Sequence, residues 1–137
     1  MSERNIEAVR ALFEAFSRGG TDEVLALAEP YLDPEVEWLQ PPEDVEGNVT
    51  HRGLDEVRRF FEQWFEAFAD FAVELDGMRD AGEMVVAFVH EHGRGRTSEL
   101  EVDWRVAYVF SFRDGKVVRL ERSWDRAAAL EAAGVSE

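Results

Sequence analysis

The chain has 137 residues, 45% of them apolar, with ten Phe and four Trp; one domain with a real core is expected and disorder is excluded. Thirty acidic residues against fifteen basic ones give a net charge of −15, which repels nucleic acid and anionic membranes. There is no Cys, so disulfides, thiolate nucleophiles and thiolate metal sites are excluded as well.

The polar start Met1-Ser2-Glu3-Arg4-Asn5 lacks the apolar core of a signal peptide. No apolar run approaches the roughly 20 residues of a membrane helix, and a cytoplasmic chain is expected. Residues 2–18 carry Ile6, Val9, Phe13 and Phe16 at helical spacing with charges on the other face, which predicts an amphipathic helix. Gly19-Gly20 stops it, and Thr21 is a natural N-cap for a second short helix. Val36–Leu39 predicts a strand, and Gln40–Thr50, with Pro41-Pro42 and Gly47, a long loop that is a candidate lid. After His51-Arg52-Gly53 comes a third helix striped with Val57, Phe60, Phe61, Trp64, Phe65 and Phe68.

The period then changes. Residues 71–78, 84–92, 100–112 and 116–124 predict four strands, with Asp114-Gly115 as the centre of a hairpin turn. Asp125 through Gly134 predicts a closing helix with an acidic N-cap. Helices followed by an antiparallel meander make an α+β fold, and strands this long are expected to bend into a cone around the helices.

The order helix, Gly-Gly, short helix, Leu32-Asp33-Pro34-Glu35-Val36-Glu37-Trp38 and His51-Arg52-Gly53 resembles the SnoaL-like branch of the nuclear transport factor 2-like superfamily. Phe112-Arg113-Asp114-Gly115-Lys116 and the ending Trp124-Asp125-Arg126 agree, so that the resemblance spans nearly the whole of 1–137 as one domain. It implies a ketosteroid isomerase-like cone with a small-ligand pocket and a homodimer. It does not imply one activity, because the superfamily hosts cyclases, isomerases, hydrolases and non-enzymes. In ketosteroid isomerase an Asp base ends the first strand; alignment on Val36-Glu37 puts Trp38 there. The two oxyanion donors fall near Leu12 and Tyr108, and that isomerase activity is not expected. SnoaL-type cyclases use an Asp at the end of the last strand as general acid/base, and Asp125 fits that place.

Each candidate residue has a structural reading beside the functional one. Asp125 is an ideal helix cap and also a candidate proton carrier. Trp104 and Tyr108 share strand parity with Val102, Val106 and Phe110, and Trp124 with Leu120 and Val118. Facing inward with Trp38 and Trp64, these rings either line a wide aromatic pocket or fill the cone. His90 and His92 share a face with Val86 and Phe88. His90 is a candidate for hydrogen bonding or proton transfer in that pocket, and His92 lies nearer the rim. The pair lacks a third metal ligand, so no metal site is predicted. The family resemblance places His51 near the cavity mouth. Arg122, if inward with Trp124 and Leu120, needs a carboxylate from a ligand or from the protein. Gly93-Arg94-Gly95-Arg96 lacks the lysine of a phosphate loop and reads as a hairpin.

The resulting expectation is a cone that binds a small apolar or aromatic molecule. Acid/base chemistry of the cyclase, isomerase or hydrolase kind would use Asp125 with His90 or Tyr108, and no cofactor. The alternative is a non-catalytic ligand-binding or accessory dimeric module. Ala107, Val109 and Val117 have outward parity, where a second copy of the chain would cover them.

Overall fold

The computed structural model describes residues 2–18, 21–40, 49–96 and 100–134. The predicted Gly19-Gly20 stop and most of the predicted lid lie outside them. Helix α1 spans Ser2–Arg18 and α2 Thr21–Ala28, followed by a 3-10 turn at Glu29–Tyr31. Strands β1 (Leu32–Gln40) and β2 (Val49–Arg52) precede α3 (Gly53–Ala67). Then come β3 (Phe68–Ala81), β4 (Met84–Gly95), β5 (Glu101–Arg113), β6 (Lys116–Ser123) and α4 (Arg126–Ala132).

The six strands form one curved sheet in the order β2-β1-β6-β5-β4-β3. It is mixed rather than wholly antiparallel, because β1 runs parallel to β6. β1 enters from the helical layer instead of from a hairpin turn, so its direction is free of the meander's alternation. The β5–β6 turn is the predicted one: Asp114 and Gly115 both have positive φ, 54° and 80°, as a two-residue turn of this hand requires. Register shifts bend β3 between Ala69 and Ala72 and between Leu75 and Gly77.

α1 and α3 fill the concave side. Val9, Leu12, Phe13 and Phe16 of α1 pack with Val57 and Phe61 of α3 against Val85, Val89, Val106, Phe110 and Leu120. Asn5 Nδ2 donates to the Gly82 carbonyl at 3.2 Å and ties the start of α1 to the β3–β4 turn. The convex side has its own small core. There Ala129 and Leu130 of α4 cover Val86, Phe88, Ala107 and Val109. Ala107 and Val109 are thus buried by the chain's own last helix, which removes the reason to cover them with a second copy. Val117 is also not outward. A register shift between Ser111 and Phe112 inserts a residue and turns Val117 into the main core, with Val118 left on the other face.

Candidate functional site

Inside the cone, rings of α1, β1, α3 and β3 surround a short polar cluster. The cavity is lined by Phe13, Phe16, Trp38, Phe60, Trp64 and Phe71, with others, and its charged members are Glu91 and Arg122. Strand register builds the cluster. Tyr108 on β5 stands directly opposite Arg122 on β6, and Glu91 on β4 opposite Trp104. All face inward by the alternation of the pleat.

Tyr108 Oη donates to Glu91 Oε2 at 2.6 Å and accepts from Arg122 Nη1 at 2.8 Å. Arg122 Nη1 also lies 2.6 Å from both oxygens of Glu91. Glu91 is 2% and Arg122 3% exposed. Buried ions persist only when paired, and each supplies the other's countercharge. Around the guanidinium stand four rings, Trp64, Trp104, Tyr108 and Trp124, with centroids 5.3–5.8 Å from Arg122 Cζ. Their electron-rich faces favour the cation. Burial pushes the Tyr108 hydroxyl well above its usual value near 10; Arg122 pulls it back and Glu91 reinforces the rise. Tyr108 therefore remains a proton donor at neutral pH.

Trp38 is 4% exposed, and its Nε1 has no hydrogen-bond partner among the described residues. Phe60 and Phe61 pack on its ring at 5.3 and 5.2 Å. At the other wall, Gly93 lets β3 come close. A Cβ there would sit 2.9 Å from Phe71 Cδ2 and 3.0 Å from Phe71 Cα. The missing side chain is what allows Phe71 to lie over the strand and close the cavity.

The cavity is narrower than the sequence suggests. Its volume is about 40 Å³, well short of the roughly 150 Å³ of an apolar cavity that takes up a benzene ring. The rings predicted as walls fill most of the cone.

Among the remaining candidates, His90 is placed against expectation. His90 does not face the cavity. It lies on the convex side, with Nε2 2.6 Å from Asp103 Oδ1 and Nδ1 3.3 Å from Glu74 Oε2. β4 is apolar on both faces from Val85 to Val89, so hydrophobicity alone assigns neither face to the interior. Asp125 is exposed at the start of α4, where its Oδ1 accepts from Ala128 N at 3.1 Å. It is the predicted cap, and it is not among the residues lining the cavity. His51 pairs across β1–β2 with Trp38 and stacks on Phe60 at 4.9 Å. Burial lowers its pKa, against an opposing pull from Glu56. His92 is 3.8 Å from Glu74 on the convex rim, and no group of three His, Cys, Asp or Glu among the described residues is arranged to hold a metal. Glu91 was absent from the sequence reading. The signal for it was Arg122: an inward cation needed an inward carboxylate.

The pattern of the SnoaL-like domain matches residues 9–120. The chain belongs to the SnoaL-like domain family. No curated protein matches its sequence. Solved structures share the nuclear transport factor 2-like fold. One is an NTF2-like protein of unknown function from Burkholderia pseudomallei, 25% identical, TM-score 0.75, covering 93% of this chain and 95% of that one. A candidate SnoaL-like polyketide cyclase from Jannaschia is 20% identical, with TM-score 0.78 and coverage of 99% and 95%. TerC, co-crystallised with polyporic acid, is 21% identical, with TM-score 0.74 and coverage of 96% and 98%. No helix among the described residues is long and apolar enough to cross a membrane.

Proposed function

We propose that this SnoaL-like domain binds a small apolar or aromatic molecule among the rings of the cone and exposes it to the Glu91–Tyr108–Arg122 cluster. The observation that carries this reading is a buried, mutually neutralised polar cluster at the wall of an otherwise apolar cavity. Polar groups in that position fix a ligand's orientation, while the rings supply the buried area. Tyr108, kept protonated, would donate to a developing oxyanion on the ligand, and Glu91, released from the tyrosine proton, would accept a proton. Those are the two halves of a keto–enol or ring-closure step. Asp125 would contribute by holding α4. Entry requires Trp64, Phe65 and Phe71 to turn, since a ring-sized ligand exceeds the 40 Å³ now open. The three are half-buried rather than locked in the core.

The narrowness of the cavity favours a second reading, an accessory module whose cone is simply filled with its own aromatics. Thermal unfolding against a panel of single-ring compounds separates the two. A ligand at about 100 times its dissociation constant stabilises by roughly 2.7 kcal/mol. Replacing Val73, which lines the cavity, with Phe should abolish that gain and leave the fold intact. No stabilisation by any compound would leave the accessory module.

A further inference from the structure

Phe71 differs from the other rings of the cavity lining in the backbone that carries it. Between Ala69 and Ala72 the β3 register slips, so that Asp70 and Phe71 together stand opposite the single residue Gly93 of β4. β3 is also the edge of the sheet, with no strand on its other side among the described residues. Fixed points bracket the bulge. Before it, Arg96 N donates to the Ala67 carbonyl at 2.9 Å and Arg96 Nε to that of Phe65 at 3.1 Å. After it, Ser17 Oγ on α1 donates to the Val73 carbonyl at 2.9 Å. Phe71 lies in the short span between them, half-buried, with its ring where a side chain at position 93 would stand. Trp64 and Phe65 stand instead on α3, whose backbone is held by its own hydrogen bonds. Trp64 is also wedged between Phe60 at 5.7 Å and Phe68 at 4.8 Å.

We infer that Phe71 is a plug rather than a wall: its ring occupies the seat that the ligand takes, and it leaves by a swing of the β3 bulge while α3 stays in place. The inference rests on the reading of the cone as a ligand site and names the residue that sets its capacity. The extra residue of the bulge supplies slack, so the ring can turn out without breaking the ladder from Ala72 onward. Gly93 provides the seat, since a Cβ there would meet Phe71 Cδ2 at 2.9 Å and Phe71 Cα at 3.0 Å. The seat adjoins the polar cluster, because Gly93 and Glu91 are two apart on β4 and share a face. A ligand in the place of the Phe71 ring therefore lies beside Glu91. The 40 Å³ cavity is the volume of the plugged cone, and turning the ring out adds the room of a phenyl group to it.

A plug and a wall respond to truncation with opposite signs. Removing a wall ring takes contacts from the ligand and weakens binding; removing a plug takes away a competitor and strengthens it. The probe is p-cresol, titrated by calorimetry into the wild type, Phe71→Ala, Gly93→Ala and Phe65→Ala. With the ring out of its seat in at most about a tenth of the molecules, Phe71→Ala should bind p-cresol at least about tenfold more tightly than the wild type. Gly93→Ala, whose Cβ evicts the ring, should also bind more tightly, and Phe65→Ala, from the α3 wall, more weakly. Because Gly93→Ala crowds the Phe71 backbone as well, a second measurement needs neither that variant nor a ligand. The chain has no Cys, so Val73→Cys places a single thiol in the cavity lining. Its rate of alkylation by iodoacetamide should rise at least about tenfold when Phe71→Ala is added, and much less with Phe65→Ala. Phe71→Ala binding p-cresol no more tightly than the wild type, or Phe65→Ala exposing the thiol as much as Phe71→Ala does, would overturn the plug and leave the ligand site standing. Failure of p-cresol to bind any of the four proteins would remove the inference together with the reading it rests on.

Discussion

Glu91 and Arg122, 31 positions apart in the chain, meet inside the cone at 2.6 Å and are almost wholly withdrawn from water. Neither is tolerable there without the other. Arg122→Met strands a buried carboxylate and should cost about 3–5 kcal/mol, and Glu91→Leu should cost a similar amount by stranding the guanidinium. The double variant should cost clearly less than the sum, because two apolar side chains then fill the space. Urea unfolding of the four proteins in a double-mutant cycle measures the coupling. Additive losses would mean that the pair does not act as a unit.

Tyr108 should make the fold sensitive to alkali. Its pKa is raised in the folded state, so the unfolded chain loses the proton first, near pH 10, while the folded chain keeps it. Above that pH the unfolded state binds fewer protons, and stability falls as pH rises, by about 1.4 kcal/mol per pH unit from this one group. Below pH 10 the contribution is fully present. Tyr108→Phe should remove this part of the slope. The check is urea unfolding between pH 9 and 11 for the two proteins.

His51 should act at the other end of the scale. Burial lowers its folded pKa, so on acidification the unfolded chain takes up a proton before the folded one does. Stability is therefore lost as pH falls through about 6.5, the unfolded value, towards the lower folded value. His51→Gln should flatten the stability profile below pH 6.5. An unchanged profile would mean that the imidazole titrates alike in both states.

Asp125 should behave as a cap. Asn supplies the same acceptor to Ala128 N, so Asp125→Asn should be nearly neutral, whereas Asp125→Ala should cost about 0.5–2 kcal/mol. Neither change should alter affinity for a ligand in the cone, because the side chain lies outside the cavity lining. Thermal unfolding and titration calorimetry on the two variants give the answer. A loss of ligand affinity in a stable Asp125→Asn protein would bring this residue back into the site.

The helices, the meander and the Asp114-Gly115 turn were legible because each rests on local periodicity or on a turn residue with one conformational demand. β2 was not: at Val49–Arg52 it is four residues long, and its strand character comes from pairing with β1 rather than from its own sequence. The inward set on β5 and β6 was readable because Asp103 and Arg105 flank Trp104, and Glu121 and Ser123 flank Arg122; Tyr108, between the apolar Ala107 and Val109, followed from Trp104 by parity. β4 failed the same test, since α4 buries its convex face as the helices bury the concave one. Without a polar side to mark the exterior, His90 and Glu91 were interchangeable by parity, and the histidine looked the more chemical of the two. How much room the rings leave is a matter of packing that no spacing rule reports.

The parallel pairing of β1 with β6 sets an order on folding. β3 to β6 close on one another through short turns and can zip locally, but Trp38 finds Leu120 only when both ends of the chain have come together. Loop closure over such a distance is entropically costly before any contact rewards it, and pairings of this kind slow folding. The wall that Trp38 contributes is accordingly among the last parts to assemble. A refolding chain should recover its hairpins, seen as strand circular dichroism, before it recovers any capacity to bind in the cone, and the interval between the two signals is the time taken to close that seam.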